Sequence, residues 1–279
     1  MQGRGPVYAD KPAEKGRPTY LFAIHPLYNP TKLTADFQPL MEYLNARMSA
    51  VAFDLEASRN YPEYEKKFRA RQAEVLLPNP WQTLEALKAG YEVIAIAGRA
   101  EDFKGLFIVR RDSGLRSIAD LKGRIVAYPA KTALAACIMP QWHLHTHGID
   151  VNKDLTNLFV GSQESAIMNT CLGLADAGVT WPPPWRSFQR EHPREAAQLM
   201  VLDETPPLIN NSVMVRNDVP AAIRDQLRQL LLTLHETAEG RAILAGFETE
   251  RFLPGSAADY DVVRAYVARF EREVHRIEP

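Results

Sequence analysis

The sequence is poor in cysteine, has no excess of basic charge and contains no long apolar run. Its two cysteines, Cys137 and Cys171, cannot build a disulfide framework, and they leave the redox compartment open. No apolar run approaches the ~20 residues of a transmembrane helix, so we expect a chain that does not span a membrane. Lys and Arg number 33 against 34 Asp and Glu, which argues against a nucleic-acid partner.

The composition provides enough apolar material for a large core. Of the 279 residues, 46% are hydrophobic and 24% are charged, and this length corresponds to about two domains. Residues 1–17 are rich in Gly, Pro, Lys and Glu and have no apolar period, so we expect residues 1–18 to be a flexible tail. Either the protein is cytoplasmic or a secretory signal has been removed, and the charged leader before an abrupt strand favours removal.

Short apolar runs alternate with helical patterns along most of the chain. This order predicts parallel sheets with helices on both faces. A Trp-Pro-Pro-Pro-Trp stretch at 181–185 is predicted to be neither a regular helix nor a central strand, because proline lacks the amide hydrogen. The last third of the chain is predicted to be helical. The predicted strands cover 19–24, 51–56, 74–77, 91–96, 106–110, 124–128, 158–160 and 175–180.

Polar and aromatic residues follow the predicted strands, where ligands of open α/β sheets bind. Each one alone is more simply a helix cap, but their convergence on one end of two sheets favours a binding site. Lys131 and Thr132 begin a helix, so an ammonium, a hydroxyl and free amides are expected to converge on an anion there. The predicted ligand-binding residues are Asn60, Tyr61, Asn79, Trp81, Gln82, Lys131, Thr132, Gln163, Glu164 and Trp181.

Three sequence blocks carry a family resemblance. They are FIVRRDSGL at 107–115 with IADLKG at 118–123, GSQESAI at 161–167 with ADAGVTW at 175–181, and VMVRNDVP at 213–220. In this order they resemble periplasmic solute-binding proteins of the type 2 fold, in the phosphate/phosphite/phosphonate branch that serves ABC transporters. The resemblance extends from about Tyr20 to the last helix. It implies a two-lobed α/β fold in which each lobe is a mainly parallel sheet flanked by helices.

The resemblance also implies how the chain is divided and what it does. Lobe 1 is expected over 19–102 plus 211–279 and lobe 2 over 103–210, with a hinge of two crossing segments near 105–110 and 210–215. A periplasmic, monomeric protein would capture a small polar or oxyanion ligand between the lobes and deliver it to an ABC transporter permease. The alternatives are presentation of the closed form to a sensor kinase and, less favoured, an enzyme on the same fold. No nucleophile, cofactor-binding or metal-binding motif is found, so no catalytic residue, cofactor or metal is predicted.

The sequence departs from the family at the ligand positions. The family often has Ser-Thr-Ser-Gly where this chain has Lys131-Thr132-Ala133-Leu134, so only the Thr is kept. Its Gly-Pro pair is Asn79-Pro80 here, and its common His-Asp pair is Gln163-Glu164. The loss of two hydroxyls and an imidazole weakens the case for phosphonate, and Glu164 opposes a dianion. A zwitterionic or neutral polar ligand fits these residues about equally well.

Two further groups have a simpler structural explanation. His143 and His147 are spaced i,i+4, which allows a shared metal ion, but no acidic or cysteine partner lies at a suitable spacing. Histidines near a helix end also complement the helix dipole. Cys137 lies close after Lys131, so a thiophilic ligand such as arsenite is an alternative to an ordinary buried cysteine.

Overall fold

The computed structural model describes residues 16–278, so the predicted tail lies almost wholly outside the described residues. Eleven strands in this part of the chain form two sheets. The first sheet contains β1 (Thr19–Ile24), β2 (Ala52–Ala57), β3 (Val75–Leu77), β4 (Tyr91–Ala97), β10 (Ser212–Arg216) and β11 (Phe252–Leu253), in the order β11-β4-β10-β3-β1-β2. The second contains β5 (Leu106–Arg110), β6 (Ile125–Tyr128), β7 (Thr156–Phe159), β8 (Ala177–Thr180) and β9 (Leu199–Glu204), in the order β7-β6-β8-β5-β9.

Each sheet combines parallel and antiparallel strand pairs, and the chain passes between the sheets twice. β1 pairs in parallel with β2 and β3, and β6 pairs in parallel with β7 and β8. β10 runs antiparallel between β3 and β4, and β5 runs antiparallel between β8 and β9. The predicted two-lobed α/β fold is confirmed. We call the six-stranded sheet with its helices the first lobe and the five-stranded sheet with its helices the second lobe.

Helices cover both sheets, and asparagine caps begin the first three. Asn29, Asn60 and Asn79 each accept a hydrogen bond from a backbone N–H in the first helical turn, and a proline stands at the first or second helical position. None of the helices in the described residues is long and apolar enough to cross a membrane. The helices are α1 (Pro30–Arg47), α2 (Tyr61–Arg69), α3 (Pro80–Lys88), α4 (Met139–Thr146), α5 (Gln163–Cys171), α6 (Pro182–Glu191), α7 (Pro193–Ala196), α8 (Ala221–Thr233), α9 (Ala238–Gly246) and α10 (Asp261–Glu273).

Two expectations about local structure were wrong. The proline stretch at 182–184 forms the first turn of α6, because the first N–H groups of a helix have no intrahelical acceptor and their loss costs nothing there. The last third of the chain is not all helical, because the apolar run of β9 completes the edge of the second sheet. The helix expected to begin at Lys131 and Thr132 starts later, with a π-helical turn at Leu134–Ile138, and continues as α4.

The apolar core of each lobe includes side chains from the other lobe. The cluster around Phe22 and Phe53 in the first lobe extends to Ile138 and Trp181 of the second lobe. The cluster under the second sheet likewise contains Tyr61, the first residue of α2. The lobes are therefore packed directly against each other along the edge where strands end and helices begin.

Candidate functional site

A buried carboxylate, Glu65, lies where the two lobes meet. It stands on α2 one turn after Tyr61, on the face that also buries Tyr64 and Phe68, and is only 1% exposed. Its Oε1 accepts hydrogen bonds from the Thr132 hydroxyl at 2.6 Å and from Nε2 of Gln82 at 3.2 Å. Sequence reasoning missed Glu65, although a charged residue on the apolar face of a predicted helix was a signal that could have revealed it.

The start of α3 supplies the first-lobe side of the contact. Asn79 and Gln82 form a capping box, in which each side chain accepts a hydrogen bond from the backbone N–H of the other. This box leaves the Asn79 amide free to donate from Nδ2 to the backbone carbonyl of Thr132 at 3.1 Å. Both side chains are buried, at 4% and 0% exposure. The cap of α3 therefore also binds the second lobe.

The start of α5 supplies a second polar bridge between the lobes. Gln163 donates from Nε2 to the hydroxyl of Tyr61 at 3.2 Å, and its Oε1 accepts from the Thr180 hydroxyl at 3.0 Å. All three side chains are buried. Six predicted or newly found polar residues thus converge on one interface, and they are Tyr61, Glu65, Asn79, Gln82, Thr132 and Gln163.

Glu65 and His25 are buried ionisable groups at the interface. Burial raises the pKa of Glu65, while hydrogen bonds from Thr132 and Gln82 and the nearby Arg69 guanidinium act to lower it. Burial lowers the pKa of His25 to about 4, so its imidazole is neutral at pH 7, and it bonds through Nδ1 to the carbonyl of Leu77 at 2.9 Å. Among residues 16–278 no lysine or arginine is buried.

The other predicted site residues lie away from this polar interface. Asn60 is exposed and caps α2, and Lys131 is exposed with Nζ 6.0 Å from the centre of the Phe159 ring. The Glu164 side chain is 45% exposed and lies 3.4 Å from Nε2 of His192.

The two predicted tryptophans are buried among apolar side chains. Trp81 is 6% exposed and Trp181 is 5% exposed. The Trp181 ring centre lies 5.4 Å from that of Phe103, in the core cluster that joins the lobes. A small cavity of about 20 Å³ lies between Trp181, Leu77 and Asn211, and it is large enough for about one water molecule.

The remaining reactive groups serve the structure. His143 lies 3.2 Å from a carboxylate oxygen of Asp203, and His147 bonds through Nδ1 to the His143 carbonyl. No group of three or more metal-ligating side chains is found within residues 16–278. Cys137 is a free, buried cysteine, and burial raises the pKa of its thiol.

Comparisons with known proteins agree with this architecture. A family model described as "ABC transporter, phosphonate, periplasmic substrate-binding protein" matches residues 22–260. A probable ABC transporter phosphite binding protein, PhnD1 of Prochlorococcus marinus (strain MIT 9301), is 22% identical over 181 residues. That match covers 60% of this chain and 61% of PhnD1, which is less than two thirds of the relative.

Two solved structures share the fold. PhnD1 from P. marinus (MIT 9301) in complex with methylphosphonate has a TM-score of 0.83 at 18% identity, over 91% of this chain and 98% of that one. A binding protein component of an ABC phosphonate transporter from Pseudomonas aeruginosa has a TM-score of 0.83 at 16% identity, over 92% of this chain and 88% of that one. With the family match over most of the chain, these findings lead to one conclusion. The chain belongs to the family of periplasmic substrate-binding proteins of ABC phosphonate transporters.

Proposed function

We propose that this chain is an extracytoplasmic solute-binding protein that captures a small polar or phosphonate-like ligand between its lobes. It closes on that ligand and delivers it to an ABC transporter permease. The family to which the chain belongs supports transport and a periplasmic location. In this proposal the protein acts as a monomer, since one chain contributes both walls of the cleft.

The observation that carries the proposal is the set of three polar contacts between the lobes. Thr132 donates to Glu65, Asn79 donates to the Thr132 carbonyl, and Gln163 donates to Tyr61. These groups find other partners in water when the lobes separate, whereas the apolar cluster that includes Ile138 and Trp181 opposes separation. A ligand with its own donors and acceptors can replace the direct polar contacts.

Closure follows from the differential affinity of the ligand for the two arrangements. A ligand that contacts both lobes binds the closed form more tightly than the open form and shifts the population towards closure. The ligand contacts would come from polar side chains that already form hydrogen bonds at the interface between the lobes. Gln82 and Tyr61 would contribute from the first lobe, and Thr132 and Gln163 from the second. Trp81 and Trp181 would form apolar walls behind them.

A thermal-shift screen tests this function. The panel contains phosphate, phosphite, phosphonates, sulfate, arsenite, amino acids and small cyclic amines. A ligand at a hundred times its Kd adds ~2.7 kcal/mol to the free energy of unfolding, which raises the Tm measurably. Small-angle X-ray scattering with each hit should show a smaller radius of gyration than without it. A panel that produces no shift, or hits that produce no compaction, would contradict ligand capture by lobe closure.

A further inference from the structure

The carboxylate of Glu65 accepts hydrogen bonds from donors at the interface between the lobes. Thr132 is the one residue that retains the hydroxyl of the family's usual Ser-Thr-Ser-Gly segment, and its hydroxyl donates to Glu65. Gln82 also donates to Glu65, through Nε2 at 3.2 Å. An incoming oxyanion needs such donors, so it must compete with Glu65 for them. A ligand that itself donates hydrogen bonds meets an acceptor instead.

The cation paired with Glu65 is partly exposed. Arg69 donates from Nη2 to Oε2 of Glu65 at 3.4 Å, and its side chain is 37% exposed, so solvent screens part of this ion pair. Lys131 is exposed, with Nζ 6.0 Å from the centre of the Phe159 ring. Two negative charges in contact repel strongly where water is excluded. A fully ionised oxyanion beside Glu65 would be disfavoured for that reason as well.

A second buried acceptor lies beside Trp181. Asn211 is 3% exposed and lines the small cavity there, and its Oδ1 has no hydrogen-bond partner in the described residues. A buried acceptor without a donor is costly, and a ligand donor would satisfy it. Glu65 and Asn211 are therefore both acceptors, the first bonded to donors of the chain itself and the second without one.

We propose that Glu65 sets the specificity of the cleft for a ligand whose polar head donates hydrogen bonds, such as an ammonium, amide or hydroxyl group. It excludes fully ionised oxyanions from the same position. This inference depends on the proposed function, because it concerns the ligand of that site.

A variant that removes the charge of Glu65 but keeps the shape of its side chain tests the inference. Glu65→Gln keeps an oxygen that accepts from Thr132 and Gln82, while Glu63→Gln removes the same charge from an exposed position on the same helix. Binding of sulfate and of methanesulfonate, which carry no O–H donor at pH 7, is measured by calorimetry at that pH. We expect E65Q to bind both anions at least about tenfold more tightly than the native chain, since a charged contact is worth this much or more. E63Q should match the native chain.

The pH dependence of sulfate binding to the native chain provides a test that needs no variant. Sulfate keeps both charges between about pH 7 and about pH 5, and burial keeps the phenols of Tyr61 and Tyr64, which flank Glu65, neutral by raising their pKa values. The imidazole of His25, with its pKa of about 4, also stays neutral in this range. Burial raises the pKa of Glu65, so its protonation, and tighter sulfate binding with it, should begin at a higher pH than for an exposed glutamate.

These experiments can contradict the role of Glu65 without contradicting ligand capture by lobe closure. Oxyanion affinities that are equal in E65Q and the native chain, or sulfate binding that does not strengthen with acid, overturn the role of Glu65. If the native chain still compacts around another member of the panel, the proposed function survives that result. Tight sulfate binding by the native chain at pH 7 would likewise contradict the inference while it supports solute capture.

Discussion

The hydroxyl of Thr132 lies 2.6 Å from Oε1 of Glu65, and this hydrogen bond joins the two lobes at a carboxylate that is 1% exposed. The two residues are separated by 67 positions in the sequence; Glu65 lies on α2 of the first lobe, and Thr132 lies in the turn before the π-helical segment of the second lobe. A buried carboxylate is stable only with hydrogen-bond partners, and Thr132 supplies one of them from the other lobe. The closed arrangement of the lobes therefore depends on the ionisation of Glu65.

Loss of the Thr132 hydroxyl should weaken the closed form. Thr132→Val removes one donor from Glu65 at nearly constant volume, and we expect a loss of about 1–3 kcal/mol in the free energy of unfolding. Thr156→Val, at an exposed position on β7, is the control and should change it by less than about 0.5 kcal/mol. Urea denaturation measures both. Equal effects from the two variants would mean that the hydrogen bond to Glu65 contributes nothing to stability.

Removal of the Trp181 side chain should destabilise the protein. The indole is 5% exposed and packs against Phe103 in the core cluster shared by the lobes. We expect Trp181→Ala to cost about 3–5 kcal/mol and to lower the Tm clearly. Trp181→Phe should recover part of the loss. A Tm close to that of the native chain, together with weaker ligand binding, would instead identify Trp181 as a wall that faces the ligand.

His25 should make stability fall in mild acid. Its pKa is lowered by burial to about 4, whereas an unfolded histidine titrates near about 6.5. Between these values the unfolded chain takes up a proton that the folded chain does not. The stability provided by the neutral imidazole is therefore lost as the pH falls through this window, by up to about 3 kcal/mol.

The variant His25→Asn isolates this effect, because asparagine offers a side-chain donor for Leu77 and does not titrate. Its free energy of unfolding should fall less than that of the native chain between pH 7 and about pH 4.5, as measured by urea denaturation. The raised pKa of Glu65 acts in the opposite direction in both proteins and cancels in the difference. The same pH dependence in both proteins would show that His25 does not control it.

Lys131 should contribute little to ligand affinity. Its side chain is exposed and extends over Phe159, so its charge is screened by solvent. We expect Lys131→Ala to change the Kd of a confirmed ligand by less than about threefold. Calorimetry with that ligand decides the question. A loss of more than about tenfold would restore Lys131 as an anion clamp.

Much of the fold could be predicted because the local signals agree with the tertiary structure. The strands at 19–24 and 106–110 have the predicted limits, since short apolar runs flanked by polar or proline residues form buried strands in either sheet. α6 was missed because proline was treated as a helix breaker at every position, whereas the first turn accepts it.

The site was harder to predict, for a geometric reason. A search confined to the residues directly after each strand finds Asn79, Thr132 and Gln163 but passes over Glu65, which lies one helical turn further along. Its burial depends on Thr132 and Gln82, which come from distant parts of the chain. Only the tertiary structure shows that this charge faces the other lobe.

The most direct test is a crystal structure of the chain with the ligand that raises its Tm most in the screen. We expect the ligand to lie between the lobes, in contact with Gln82 or Tyr61 on one side and with Thr132 or Gln163 on the other. The same structure should show a ligand donor bonded to Glu65. A ligand bound elsewhere, such as in the groove between α1 and α9, would contradict capture in the interlobe cleft.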